Sequence, residues 1–425
     1  MIKETEIFMN TKAVRLYGAN DLRLESFELP EISKNEILVH IVTDGLCPET
    51  LHAVKLGDKN KRVVGELSSE PVIIGHEACG EIVRTGAGVD KKWSIGDRVV
   101  ILPSLKSECG AAFGYSFKYM GGAATYVIVS EDIIANECLV KYGNMPFFTG
   151  SLVEPLAAVW RAYQAFYHVD AKTREIKQGV KRGGKLAILG GAGPMGMAAV
   201  EIGKKCMGVS EITVVDTSDE RLDFAKRRGA MTDAPDSTCA VTYVNTHGVK
   251  NAKDKLLEIS GGGFDDVFVM SSSHDVFELA ENICCDDGCL NFFADPSTEY
   301  ASAPLNLNKL HYHGLHVVGT AGSDPTDAVA VVKLIEEKKI DPAVLVSHIV
   351  GMNDCIEATL DLDKPLGAKK VCYMGIDIPY IAIEELEFWG ESDPHYQVLA
   401  EIVKNNGGLW CEEAERYLVE NAPRA

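Results

Sequence analysis

Gly184-Lys-Leu-Ala-Ile-Leu-Gly-Gly-Ala-Gly-Pro-Met-Gly196, taken together with Asp216, decides the fold. Leu186 to Leu189 is an apolar run of strand length. It opens into Gly191-Ala192-Gly193-Pro194-Met195-Gly196, and Met197 to Lys205 follows with one apolar face, the pattern of a helix. A second strand, Glu211 to Val215, ends at Asp216. In a G-x-G-x-x-G turn of this kind Gly191 permits the tight turn. Gly193 lets the backbone approach a pyrophosphate, and Gly196 lets the helix pack against the strand. The pyrophosphate sits on the free N–H groups of the helix that Pro194 and Met195 open. Asp216 stands at the spacing expected of the acid that accepts hydrogen bonds from an adenosine ribose. Its charge repels a 2′-phosphate, so NAD is favoured over NADP, and Arg221 is the one nearby residue that softens this preference.

The chain has 425 residues, enough for two or three domains. Apolar residues make up 46% and charged residues 24%, as in ordinary globular proteins. A net charge of -20 weighs against nucleic acid or an anionic membrane as partner, and it obliges any anionic substrate to find a local basic pocket. The opening residues Met1 to Glu6 are charged and lack the apolar core of a leader, and no apolar run is long enough to span a bilayer, so a cytoplasmic protein is expected. The 12 cysteines are scattered without a C-x-x-C pair, which suits reduced, buried thiols.

Before residue 150 the chain reads as short alternating strands separated by glycine turns, among them Lys12 to Tyr17, Glu36 to Val42 and Asp97 to Ile101, which suggests a compact β-barrel. From Glu154-Pro155 the apolar period lengthens to that of a helix. Strands then alternate with helices through Asp266 to Met270, Cys289 to Phe293 and His316 to Thr320, the signature of a parallel doubly wound sheet. Ser271 and Ala294 follow strand ends, which in such sheets border the cofactor. The expected layout is an α/β protein with a catalytic β-rich part at 1–160, a dinucleotide domain at 161–323, and a return with a helical extension at 324–425.

Cys47, His76, Glu77 and Glu154 offer thiolate, imidazole and carboxylate, a donor set that suits zinc. Taken singly each is an ordinary buried residue. Together with their surroundings they carry a resemblance. Gly45-Leu-Cys-Pro-Glu-Thr-Leu-His52, Gly75-His-Glu-Ala-Cys-Gly-Glu-Ile-Val83, Gly96-Asp-Arg-Val99 and Glu154-Pro-Leu-Ala157, followed by the glycine turn, are similar to the medium-chain, zinc-type alcohol and polyol dehydrogenases. The resemblance implies a GroES-like catalytic domain, a Rossmann domain, a site in the cleft between them and one catalytic zinc. Cys47 and His76 are then ligands, with Glu77 or Glu154 as the third. Thr11-Lys-Ala-Val-Arg-Leu-Tyr-Gly18 and Gly114-Tyr-Ser-Phe-Lys-Tyr-Met-Gly-Gly122 resemble the L-sorbose 1-phosphate reductase branch, which implies a ketose phosphate and its polyol phosphate as substrates and a homodimer or homotetramer.

Two departures from the family pattern stand out. Where the family places a small hydroxyl residue in the proton relay, this chain has Glu49, followed by Thr50 and His52, so the relay runs through one or more of these. Only Cys109 falls in the lobe where the family holds a second, structural zinc, so none is expected here. A phosphate needs cations, and Lys59, Lys61, Arg62 and Lys118 are the basic residues nearest these motifs. Lys369-Lys370 either approach the cofactor pyrophosphate or lie at the surface. An unphosphorylated polyol dehydrogenase and a metal-free quinone or enone reductase of the same fold are the competing readings.

Overall fold

A computed structural model describes residues 9–106, 109–232, 238–296, 302–364 and 367–425, and Met1 to Glu6 lie outside them. The chain divides into two compact units: Pro155–Leu345, and Met1–Glu154 joined by Val346–Ala425.

The Pro155–Leu345 unit is built on a six-stranded parallel sheet. In space the strands run Ala240–Asn245, Glu211–Asp216, Lys185–Leu189, Phe264–Val269, Cys284–Phe292 and His316–Gly319. The first strand in sequence, Lys185–Leu189, is central. The next two are added on one side and the last three on the other. The chain therefore reverses direction across the sheet between Lys185–Leu189 and Phe264–Val269, and a crevice opens at the carboxyl ends of strands at such a switch point. Ile188, Leu189, Val214 and Phe268 are buried, as strands covered on both faces require.

The helix Pro325–Glu336, expected to begin the return to the catalytic part, belongs to this unit instead. The reason lies in two buried charges whose partners are far away in sequence. Arg228 donates to the carbonyls of Ala343 and Val344 at 2.9 and 3.3 Å, and Glu201 accepts from the Asp341 amide at 2.8 Å. These bonds fasten the segment after the helix to the dinucleotide-binding unit.

The other unit holds an eight-stranded sheet whose central strand, Ile37–Leu46, is longer than the expected Glu36 to Val42. Three strands pair with it, all antiparallel, and Tyr126–Val129 joins its first half, Ile37 opposite Val129. Ala78–Thr85 pairs Ala78 with Asp44, and Lys369–Tyr373 pairs Lys370 with Leu46. The C-terminal segment thus completes the sheet that the N-terminal segment begins. The helices Pro394–Asn405 and Glu412–Asn421 form the extension. Glu415 ties it down by accepting from the amides of Phe147 and Phe148 at 2.6 and 2.7 Å, and Trp410 donates to the Tyr373 hydroxyl at 2.8 Å.

Candidate functional site

Strand register assembles the donor cluster. Cys47 follows the end of the central strand. His76 and Glu77 immediately precede its neighbour Ala78–Thr85, and Lys369 opens the neighbour on the other side. One ligand atom each from Cys47, His76 and Glu77 lie within 4.8 Å of one another. His76 and Glu77 are buried, and Cys47 and Glu154 are half-buried.

Each donor is held by its surroundings. The hydroxyls of Thr50 and Tyr115 lie 3.1 and 2.9 Å from His76 Nδ1, and the Tyr115 ring stacks on the imidazole with centroids 5.0 Å apart. The imidazole is thereby fixed in orientation, as metal-ligating histidines are. The Glu77 amide donates to Asp44 Oδ1 at 3.0 Å, and Lys369 donates to Glu77 Oε1. Glu77 Oε2 is buried and has no hydrogen-bond partner among the described residues. Gly45 leaves room for that oxygen, because a Cβ there would collide with it.

The electrostatics follow from enclosure. Burial pushes the Cys47 thiol well up, and the nearby Lys369 charge opposes this. Burial pulls His76 well below the usual imidazole range, helped by Lys369 and Arg62. Loss of solvation, then the Glu77 charge, lifts Glu154 to about 8. Burial also raises Asp44. Burial alone would lower Lys369, yet the charges of Cys47 and Glu77 hold it above the ordinary lysine value. A thiol, an imidazole nitrogen and an orphaned carboxylate oxygen facing one another fit a tetrahedral, borderline-soft dication with a fourth position left open. Glu77, the glutamate the geometry gathers with Cys47 and His76, supplies that oxygen, and Glu154 stands within electrostatic reach of both Glu77 and Cys47.

Lys369 and Lys370 correct an expectation. They do not lie at the surface: both are buried, Lys369 on Glu77 and Lys370 Nζ donating to the Ala358 carbonyl at 3.1 Å. Glu49, Thr50 and His52 share the helix Pro48–Leu56, with Glu49 half-buried in its first turn and His52 exposed. Thr50 is buried against His76. Lys59, Lys61 and Lys118 are exposed, whereas Arg62 is half-buried with its guanidinium 5.0 Å from the Tyr115 ring centre. Tyr115 and Asp44 are the residues sequence reasoning missed, although Tyr115 sits inside a stretch it singled out, and Lys369 was named without its role on Glu77.

In the other unit a cleft of about 380 Å³ opens at the switch point. Asp216, Arg221, Ser271 and Ala294 line it, with Gly190, Thr217, Thr246 and Met270. The left-handed turn falls on Gly190, with φ +74°, rather than on Gly191. The amides of Gly190 and Gly191 both donate to the Val215 carbonyl, at 2.8 and 3.0 Å, which binds the turn to the next strand. Gly196 presses against the Gly191 backbone, where no side chain has room. Gly193 is the N-cap and Pro194 the first residue of the helix, so the amides of Met195 and Gly196 point outward without intrahelical acceptors. Asp216 also braces the turn, its Oδ2 accepting from the Ala192 amide at 3.1 Å, and Arg221 Nη1 lies 3.9 Å from its Oδ1.

Residues 33–138 match the alcohol dehydrogenase GroES-like domain, and residues 194–337 match the zinc-binding dehydrogenase domain. The L-sorbose 1-phosphate reductase of Klebsiella pneumoniae is 38% identical over 97% of this chain and 98% of its own length. The chain belongs to the zinc-binding alcohol dehydrogenase family. The mannitol-1-phosphate 5-dehydrogenase of Aliivibrio fischeri is 34% identical over 96% of this chain and 97% of its own length. The crystal structure of 2R,3R-butanediol dehydrogenase from Bacillus subtilis superposes with a TM-score of 0.69 at 25% identity, covering 85% of this chain and 99% of that one. The protein is accordingly an oxidoreductase with a GroES-like and a Rossmann-type domain. No helix among the described residues is long and apolar enough to cross a membrane.

Proposed function

We propose that this enzyme interconverts a ketose phosphate and the corresponding polyol phosphate with NAD(H), L-sorbose 1-phosphate and D-glucitol 6-phosphate being the first pair to try. The observation that carries the reading is the convergence of Cys47, His76 and the orphaned Glu77 oxygen. Two relatives matched along almost their whole length are named for polyol or ketose phosphates, and they support the substrate class.

Cys47, His76 and Glu77 would hold a single zinc, with Glu154 beside it, and no second structural zinc is expected. When bound, zinc supplies a Lewis acid for the substrate oxygen. Lys369 keeps Glu77 ionised and turned, and Thr50 with Tyr115 keeps the His76 ring in place. Glu49, Thr50 and His52 provide a relay that carries the substrate proton to solvent, His52 being its exposed end. Met195 and Gly196 offer their amides to the pyrophosphate. Asp216 takes the adenosine ribose and favours NAD over NADP, and Arg221 stands close enough to weaken that preference. Ser271 and Ala294 flank the rest of the cofactor. A homodimer or homotetramer in the cytoplasm is the expected setting.

The test is metal analysis coupled to NAD-linked assays of L-sorbose 1-phosphate, D-glucitol 6-phosphate and D-glucitol. One zinc per chain, with turnover on the phosphates lost on chelation and restored by zinc, is the expected result. Full turnover after complete zinc removal refutes the metal assignment, and equal rates on free D-glucitol refute the substrate class.

A further inference from the structure

Arg62 is a half-buried guanidinium with no carboxylate at ion-pair distance among the described residues, in a chain whose acids outnumber its bases by the margin of its -20 charge. Arg15, Arg23, Arg84, Arg161 and Arg221, by contrast, each have a carboxylate partner. Leaving a partly desolvated cation unpaired is costly unless something anionic comes to it.

Its position is built rather than incidental. Ser116 Oγ donates to the Arg62 carbonyl at 2.5 Å and accepts the Ala112 amide at 2.8 Å, which sews the Arg62 loop to the segment carrying Tyr115. The loop is closed on itself by Asn60 Oδ1, which accepts the Arg62 amide at 2.9 Å, and by Asp58 Oδ1, which accepts the Leu67 amide at 2.8 Å. The guanidinium then lies over the Tyr115 ring, 5.0 Å from its centre, and that ring stacks on His76 with centroids 5.0 Å apart. Arg62 is therefore no farther from the His76 ring than those two separations laid end to end, and its charge acts on His76 and Glu154. Lys118 Nζ lies 5.4 Å from the ring of Tyr119 and is exposed.

We propose that Arg62 anchors the phosphate of the substrate and sets the preference for a phosphorylated over a free polyol. This rests on the substrate class proposed above. A guanidinium held over an aromatic ring, on a loop that is itself hydrogen-bonded in place, is restricted in where its N–H fork can reach, and such a fork suits bidentate contact with phosphate oxygens. Lys61 and Lys118, free in solvent, offer no such preorganisation.

The experiment compares zinc-loaded wild type, Arg62→Gln, Arg62→Lys and Lys118→Gln on D-glucitol 6-phosphate and on D-glucitol, with NAD saturating. The expected result is that Arg62→Gln lowers kcat/KM for the phosphate about 10- to 100-fold, mostly through KM, the scale of lost charge-assisted hydrogen bonds. Its kcat/KM on D-glucitol stays within about threefold, so the preference collapses, and Arg62→Lys falls between. The D-glucitol rate controls for disturbance of Tyr115 and His76, which would slow both substrates alike. Isothermal titration with inorganic phosphate gives a second readout, in which Arg62→Gln weakens binding. The proposal is overturned if Arg62→Gln keeps the wild-type preference, or if Lys118→Gln loses it instead. Should the wild type not prefer the phosphate at all, the substrate class falls and the anchor falls with it. Retained preference in Arg62→Gln removes the anchor alone.

Discussion

Replacing Lys369 by methionine removes one half of a fully enclosed ion pair. The side chains of Lys369 and Glu77 are 2% and 0% exposed, and among the described residues Lys369 is the only cation bonded to that carboxylate. Methionine keeps the volume of the stem and loses the charge. Breaking a buried pair from one side costs about 3–5 kcal/mol, because the surviving charge is left in a medium that cannot solvate it. Glu77 limits the loss by taking up a proton, so the lower end of that range is expected. The unit that contains the pair has a size at which 1 kcal/mol shifts Tm by about 2–4 °C, so zinc-free Lys369→Met should melt roughly 6–12 °C below wild type. A double-mutant cycle with Glu77→Gln isolates the pair. The double variant should lose much less than the two single losses added together, since it leaves no uncompensated charge. Calorimetry on protein dialysed against chelator gives the melting points. A Tm drop of less than about 2 °C for Lys369→Met, or simple additivity in the cycle, would falsify the claim that Lys369 balances Glu77.

Cys47→Ala should purify without zinc while keeping its fold, as read by metal analysis beside circular dichroism; stoichiometric zinc in that variant would dismiss Cys47 as a ligand. Asp216→Ala should weaken NAD binding about 10- to 100-fold, the worth of hydrogen bonds to a charged acceptor, and leave Arg221 free to improve NADP binding. Fluorescence titration measures both, and a wild type that binds NADP more tightly than NAD reverses the assignment. Burial lifts Glu415 from 4.5 to about 7, opposed by the Phe148 and Phe147 amides, so the fold favours its protonated form. Its contribution is complete below pH 4.5 and is lost as pH rises through about 7, a difference of roughly 3 kcal/mol. Glu415→Gln should flatten the fall of Tm across that window, and an unchanged slope would show that another group titrates there.

The parts of the fold written in local sequence were legible. The run from Leu186 to Gly196 specifies strand, turn and helix within a dozen residues, and Asp216 ends the next strand where the motif requires it. Even there the left-handed residue is Gly190, one position before the motif, because the motif fixes the spacing of its glycines and not which backbone position turns left-handed. The donor cluster was legible through resemblance, and its assembly was not. Cys47 meets His76 because Asp44 pairs with Ala78 across two strands, and Lys369 joins them from 292 residues away along the chain. No period or spacing in a single sequence encodes that register. Tyr115 was hidden for a different reason: in a stretch rich in glycine and aromatics nothing marks which ring will stack on an imidazole.

The acids gathered around Cys47 make little sense as a stability device. Asp44, Cys47, Glu77 and Glu154 each lose solvation there, and burial raises the pKa of every one. One buried lysine answers them. For folding alone, apolar side chains of the same size would serve as well or better. The set becomes reasonable once it is read as a cavity prepared for a dication, where ligand binding free energy offsets the cost of keeping such groups together. Lys369 then has a specific consequence. By occupying Oε1 it favours the ionised form of Glu77 and leaves Oε2 without a partner among the described residues, so the carboxylate would offer a dication a single oxygen. Burial and then the Glu77 charge lift Glu154 to about 8, and a dication beside it would favour its ionised form. Arg62 adds its charge to this balance at Glu154 and His76 but forms no ion pair with a carboxylate among the described residues. On the reading proposed above, its remaining charge would meet an anion carried by the substrate, and the residues that would hold a dication would then stand beside the one that would hold a phosphate.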